Sequence, residues 1–222
     1  MKIIVIFILL LLFFFYSYAQ MSFYEAELGK VASKQISQKF WDLVIRTTMQ
    51  ISVIDNWIRD KEDKKFHFGD MLGIRGGFGV GSWQQMQLEG MKKYNELIEL
   101  GFSAGGFAGY KNDSWGVFYK YQREWFTSYH MRSPSTYNFI CDVNTISVII
   151  NNAYYLEYAT GKPVIKSSLS DSDEFSRYTF KYFTNDDTDN YTKEYIGFKI
   201  ERIEKNNNQD FNTYSFVGGF SF

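Results

Sequence analysis

Cysteine and proline are nearly absent from this 222-residue sequence. Cys141 is the single cysteine, so no intramolecular disulfide can form and a disulfide-stapled fold is excluded. Proline occurs only at Pro134 and Pro163, while aromatic residues make up 20% of the chain. This composition suits β-strands, in which aromatic side chains are favoured and proline is not.

The sequence also lacks an excess of charge of either sign. Its formal net charge is −1, so nothing favours a nucleic-acid partner, which would require a concentrated basic surface. The two histidines and one cysteine do not make a convincing metal site, and no motif predicts a cofactor. The glycines between 73 and 81 are not followed by the Lys-Ser/Thr of a phosphate-binding loop.

Only one long apolar run exists, and it lies at the N-terminus. Lys2 precedes apolar residues 3–15, and Ser17-Tyr18-Ala19 follows. The run is shorter than the ~20 residues of a spanning helix and ends in small residues, so residues 1–19 are predicted to be a signal peptide cleaved near Ala19. No later stretch approaches that length, so a membrane role would require a β-barrel.

From residue 70 onward, apolar and polar side chains alternate with a period of two, which is the signature of strands. The clearest segments lie at 71–80, 98–110, 115–128, 196–201 and 214–222, and less regular ones at 136–150, 152–160 and 174–184. Eight segments predict an all-β, antiparallel, transmembrane up-and-down barrel over residues 68–222. The short links at 111–113, 151–152 and 185–190 fall at alternate positions, as such barrels require.

Residues 20–67 admit two interpretations. Trp41, Leu43, Ile45 and Met49 have strand spacing, whereas Ile36, Phe40, Val44, Thr47 and Ile51 form a helical stripe. As a helix, the region would be an N-terminal periplasmic or plug segment. As a strand, it would keep eight strands or extend the barrel to ten.

The C-terminal residues are similar to the assembly signal of bacterial outer-membrane proteins. Tyr214, Phe216, Phe220 and the terminal Phe222 alternate as in that signal, although Gly218 places no side chain at one outward position. Together with the segments of residues 70–222, the chain resembles small eight-stranded barrels of the OmpA/OmpX type. The resemblance implies a Gram-negative-type outer membrane, with membrane lipid and the barrel-assembly machinery as partners.

Alternation also sorts the charged residues and the tryptophans of the predicted barrel. The charged side chains predicted to form a lumen network are Arg75, Glu99, Lys120, Glu124, Lys181, Lys199 and Glu201. Four positive and three negative charges can largely pair, which favours a structural salt-bridge network over a catalytic or conducting site. Trp115 and Trp125 are ten residues apart, so each is predicted to lie in one of the two interfacial aromatic girdles.

Two functions follow from these features. The first is a non-enzymatic envelope structural protein or subunit of an outer-membrane complex, with other envelope proteins as partners. The second is a lipid-modifying hydrolase or acyltransferase using Ser128 and His130, with Glu124 on the same strand face. Barrel enzymes that trim or acylate lipid A carry a Ser and a His near the outer rim, but the deacylase order of these residues is reversed here. We favour the first function, because a serine and a histidine at a strand end usually only solvate a loop.

Overall fold

The computed structural model describes nine stretches of the chain. They are residues 22–33, 42–52, 65–83, 94–112, 114–130, 136–163, 174–184, 193–204 and 210–221. The predicted signal peptide, residues 1–19, and the terminal Phe222 lie outside these ranges. Within them, no helix has the length and apolarity needed to cross a bilayer.

The regular structure of the described residues consists of ten β-strands. They are β1 (Phe23–Ser33), β2 (Asp42–Ile51), β3 (Phe66–Trp83), β4 (Tyr94–Lys111), β5 (Trp115–His130), β6 (Thr136–Ile150), β7 (Tyr154–Pro163), β8 (Glu174–Phe183), β9 (Lys193–Glu204) and β10 (Asp210–Ser221). Each strand pairs antiparallel with the next, and β1 pairs with β10, so the sheet closes into an up-and-down barrel. Closure leaves no strand with an unpaired edge.

The expected eight strands are therefore corrected to ten, the alternative that the sequence left open. The eight predicted segments coincide, to within a few residues, with β3–β10. The two additional strands, β1 and β2, lie within residues 20–67, where a strand and a helix were both considered. β1 pairs with β10 on one side and β2 on the other, as in Ala26 opposite Gly218 and opposite Thr47. The two strands thus complete the ring rather than precede it.

Side chains alternate between an apolar outer face and a mainly polar lumen. On β10, Phe216 is 72% exposed on the outside, whereas its neighbour Ser215 is 1% exposed inside. The exposed outer side chains of other strands are also large and apolar, including Leu28, Ile45, Ile74, Phe102, Ile146 and Ile196. The strand period of two therefore separates the two faces around the whole ring.

Two short turns lie at the end of the barrel that also holds Ser22 and Ser221, which we call the turn end. The Asn112 side chain accepts hydrogen bonds from the backbone N–H groups of Ser114 and Trp115. Asn151 and Asn152 have φ of 50° and 53°, a left-handed pair that fits a tight hairpin and that asparagine tolerates. The opposite end, where β3 meets β4 and β5 meets β6, is called the loop end.

Two small apolar clusters pack inside the lumen. Near the turn end the cluster consists of Met71, Phe107, Phe118, Ile149 and Tyr155. Further toward the loop end, Cys141, Val143, Ala159 and Phe175 form the second cluster. The free thiol of Cys141 is buried there. These side chains fill part of the lumen, and the charged residues occupy the space between them.

Candidate functional site

Among the described residues, six basic and six acidic side chains form ion pairs inside the lumen. The bases are Arg46, Arg75, Lys120, Arg177, Lys181 and Lys199, and the acids are Glu25, Glu27, Glu99, Glu124, Glu157 and Glu201. They come from eight of the ten strands. An isolated charge would be costly in such a partly dehydrated space, and pairing offsets that cost.

An arginine–glutamate layer crosses the middle of the lumen. Arg46 on β2 lies 3.1 Å from Glu27, 3.2 Å from Glu99 and 3.7 Å from Glu201. Arg75 on β3 lies 2.7 Å from Glu99 and 3.6 Å from Glu201. Because Glu201 belongs to β9, four strand positions from β3 around the ring, these contacts join distant parts of the wall.

A second group of ion pairs connects β5, β7 and β8. Arg177 lies 3.1 Å from Glu124 and 3.7 Å from Glu157. The ammonium group of Lys120 lies 2.9 Å from Glu157, and both residues also hydrogen-bond the Tyr155 hydroxyl. Each of these carboxylates therefore has a basic partner within the lumen.

The third group surrounds Glu25 on β1. Its two carboxylate oxygens lie 2.5 Å from the Lys199 ammonium and 2.7 Å from the Lys181 ammonium. The Tyr195 hydroxyl donates to the same carboxylate at 3.1 Å. Lys181 also lies over the rings of Phe23 and Tyr195, at 4.3 and 4.2 Å from their centroids, where cation–π attraction stabilises the ammonium.

A cavity of about 230 Å³ lies between these ion pairs and the turn end. Its wall near the turn end includes Lys111, Asn152, Lys193 and Ser221, which stand at or beside strand ends. Its inner wall includes Arg75, Glu124 and Arg177. The ion-paired side chains therefore form the floor of a cavity that reaches the turn end, which we call the turn-end cavity.

All seven residues predicted for the lumen network are placed in these groups. Arg75, Glu99 and Glu201 lie in the arginine–glutamate layer, and Lys120, Glu124, Lys181 and Lys199 lie in the other two groups. The residues that sequence reasoning missed are Glu25, Glu27, Arg46, Glu157 and Arg177. The signal that would have found Glu157 is the alternation of Tyr154, Leu156 and Tyr158 around Tyr155 and Glu157.

The proposed catalytic residues are not brought together by any contact of the described side chains. Ser128 and His130 belong to the loop-end part of β5, and their side chains lie outside the described part of the chain. Glu124 is buried, and its carboxylate is paired with Arg177. The carboxylate of the hypothetical triad is therefore held by a guanidinium group.

The aromatic residues of the sequence analysis lie on the outer face. Trp115 is 46% exposed and contacts Tyr110, and Trp125 stacks on Phe102 with 4.9 Å between ring centroids. Tyr214, Phe216 and Phe220 lie on the outer face of β10, and Phe216 contacts Phe198 edge-on. The girdle and assembly-signal roles of these residues stay predictions.

The residues that the structure describes contain no cluster of three or more His, Cys, Asp and Glu side chains arranged to hold a metal ion. The lumen carboxylates instead face ammonium and guanidinium groups.

The fold of the chain is distantly similar to several solved structures. The β-domain of the Bordetella autotransporter BrkA is 8% identical, with 91% of this chain and 99% of that chain covered and a TM-score of 0.41. The NanC porin is 10% identical, with 90% and 98% covered and a TM-score of 0.39. OprB of Pseudomonas putida is 9% identical, with 95% and 94% covered and a TM-score of 0.27.

No protein-family model and no curated protein matches the chain. The similarities to solved structures are distant and concern the fold alone. The expected likeness to the eight-stranded OmpA/OmpX type is corrected by the strand count, because the chain closes with ten strands. The chain is thus an all-β protein with a closed, antiparallel, ten-stranded up-and-down barrel.

Proposed function

We propose that the chain is an integral β-barrel of a Gram-negative-type outer membrane with a non-enzymatic, structural role in the envelope. The observation that carries the proposal is the distribution of side chains, with exposed Phe, Leu, Ile and Tyr outside and paired charges inside. In water, so large an apolar surface would favour aggregation. In a bilayer, the same surface faces lipid tails and the charges remain shielded from them.

Strand length and closure support a membrane-spanning position. A tilted strand needs about 9–11 residues to cross the hydrocarbon core. The shortest strands, β2, β7 and β8, each have 10 residues. Because the ring is closed, every strand has two hydrogen-bonded neighbours, which satisfies the backbone polar groups as a lipid environment demands.

The ion pairs across the lumen support a structural role rather than wide-pore diffusion. Arg46 reaches from β2 to Glu99 on β4 and Glu201 on β9, and Arg75 reaches Glu201 from β3. A freely conducting pore would need these pairs to separate, leaving buried charges without partners. We therefore propose an envelope structural protein, or a subunit of an outer-membrane complex, delivered by the barrel-assembly machinery.

Planar-bilayer recording of the purified full-length protein tests this function. The expected result is insertion without a steady open channel, because the arginine–glutamate layer crosses the lumen. A stable conductance of the size seen for general porins would overturn the structural proposal. The matched variant Arg46→Ala with Glu99→Ala removes two members of the layer and is expected to raise the frequency of conducting events over the unaltered protein.

Complex membership is tested by cross-linking in intact envelopes. A deletion in residues 20–67 is unsuitable for this test, because β1 and β2 belong to the ring and their loss would disrupt the barrel itself. Cross-linkable residues are therefore introduced by substitution at positions outside the strands. Reproducible cross-links to one envelope protein at stoichiometric yield support a complex, and an exclusively monomeric barrel leaves only the stand-alone structural role.

The lipid-modifying hypothesis for Ser128 and His130 stays a prediction, since no contact of the described residues favours it. The pairing of Glu124 with Arg177 does not supply the carboxylate that a triad would use to orient histidine. Mass spectrometry of lipid A from cells with Ser128→Ala tests it. Altered lipid A would replace the structural proposal with an enzymatic one.

A further inference from the structure

Among the residues that the structure describes, the turn-end cavity is lined by more basic than acidic side chains. Its basic residues are Arg75, Lys111, Lys120, Arg177, Lys181, Lys193 and Lys199, and its acidic residues are Glu25, Glu124 and Glu157. Five of these bases are ion-paired with lumen carboxylates, some of which do not line the cavity: Arg75 pairs with Glu99 and Glu201, and Lys199 pairs with Glu25 and Glu27. Acidic and basic groups balance across the ion-paired lumen, and Lys111 and Lys193 add two further basic side chains to the wall near the turn end.

Two lysines flank the mouth of the cavity on opposite sides. Lys111 ends β4 and Lys193 begins β9. These strands are five positions apart in a closed ring of ten, which places them across the lumen from each other. Lys111 is four residues from buried Phe107, and Lys193 is two residues from buried Tyr195. Because side chains alternate along a strand, both lysines lie on the inward face. An anion that enters at the turn end therefore passes between two ammonium groups.

The rest of the cavity wall is partly apolar. Phe23, Ile149 and Phe183 line it together with the tyrosine rings of Tyr155 and Tyr195. The volume of about 230 Å³ lies just below the range of small-molecule pockets, about 300–1,000 Å³. The cavity therefore suits a compact ligand that carries an anionic group and a small apolar body.

We propose that the turn-end cavity binds a compact organic anion of the monocarboxylate class, whose carboxylate lies among the lysines while its carbon skeleton packs on the aromatic wall. A positive cavity with low-dielectric walls concentrates anions at its mouth. The ion pairs that form its floor keep the ligand from crossing to the loop end. The site is thus a binding pocket entered from one side of the membrane.

Benzoate and benzamide provide a matched pair of probes, since they have nearly the same shape and differ in charge. Isothermal titration of the purified full-length barrel in zwitterionic detergent at low ionic strength is expected to give saturable benzoate binding. The affinity for benzoate should exceed that for benzamide by about tenfold or more and should fall as salt is raised. Absence of saturable benzoate binding, or equal affinities for both probes, would overturn the proposal.

Variants at the mouth locate the site. Lys111→Gln with Lys193→Gln is expected to weaken benzoate binding by about fivefold or more, whereas Lys111→Arg with Lys193→Arg retains it. The matched control is Lys65→Gln with Lys162→Gln, which removes the same charge from exposed side chains that do not line the cavity. Equal weakening in the control would overturn the assignment. Heat-modifiable migration verifies folding, and the titration is independent of the conductance test of the structural role.

Discussion

Arg123 and Asp142 form a two-pronged ion pair on the outer face of the barrel, with 2.7 Å between Nε and Oδ1 and 2.8 Å between Nη2 and Oδ2. The two residues are directly opposite each other on β5 and β6. Towards the turn end the outer face continues with exposed Tyr119 and Ile146, and towards the loop end it continues with Trp125. The pair thus has apolar outer-face residues on both sides, where two charges that satisfy each other are tolerated.

The Asp142→Asn variant is expected to lower the urea midpoint of unfolding in lipid bilayers, because Arg123 loses its bidentate partner beside the apolar band. Arg123→Gln should also lower it. The double variant should lose less than the sum of the two single losses, because both singles remove the same interaction. Glu174→Gln, at an exposed carboxylate at the end of β8, serves as the control. Strict additivity would show that the pair contributes nothing as a pair.

Removing Arg46 should have a larger effect on stability than removing any exposed lysine. Arg46→Met leaves Glu27, Glu99 and Glu201 close together without the guanidinium that lies between them. Breaking a buried ion pair from one side costs about 3–5 kcal/mol in free energy of unfolding. Reversible urea unfolding in detergent–lipid micelles measures the loss, with Lys65→Met as the exposed control. A loss no greater than that of the control would contradict the role given to the layer.

Gly105 is expected to be intolerant of a side chain. A Cβ atom added there would lie 2.0 Å from the Tyr121 carbonyl oxygen and 2.7 Å from the Gln122 Cα, both backbone atoms of the neighbouring strand. Gly105→Ala should lower the free energy of unfolding by about 1–3 kcal/mol or prevent closure. At Gly76, the nearest atom would be the Thr47 hydroxyl at 3.9 Å, so Gly76→Ala should change stability by less than about 0.5 kcal/mol. Equal effects of the two variants would refute this description of the β4–β5 contact.

A charge on the outer face should be costly in proportion to its depth in the bilayer. Phe216 is near the middle of β10, whereas Glu194 is next to the turn end of β9. Phe216→Arg should therefore lower stability in bilayers by about 2–4 kcal/mol, and Glu194→Arg by about 0–1 kcal/mol. Unfolding titrations in large unilamellar vesicles give both values. A reversed order of the two losses would place the apolar band elsewhere.

Sequence periodicity predicted β3–β5 and β10 well because their outward residues are large and apolar, as in Phe216 and Ile74. Periodicity did not decide between a strand and a helix at β2, because Val44 interrupts the polar inward face that a barrel strand is expected to have. This valine is buried inside the lumen, so an apolar residue stands at an inward position and also fits a helical stripe. β1 was not recognised as a strand, although Glu25 and Glu27 alternate with Tyr24, Ala26 and Leu28.

The members of the lumen network could be predicted in part from alternation, but their partners could not. Arg46 and Glu99 are 53 positions apart in sequence, and Lys199 and Glu25 are 174 apart. Which of them meet depends on strand number and on the stagger between strands around the ring. The sequence left the strand number open between eight and ten, so the pairs between distant walls became visible only in the closed barrel.

Site-directed spin labelling along β10 in lipid nanodiscs tests the central claim most directly. A nitroxide at each position from 213 to 218, in a Cys141→Ala background, reports its accessibility to oxygen, which concentrates in lipid. The account predicts oxygen-accessibility maxima at Tyr214, Phe216 and Gly218 and minima at Thr213, Ser215 and Val217. A flat profile, or equal access of a water-soluble nickel reagent to the predicted lipid-facing positions, would contradict it.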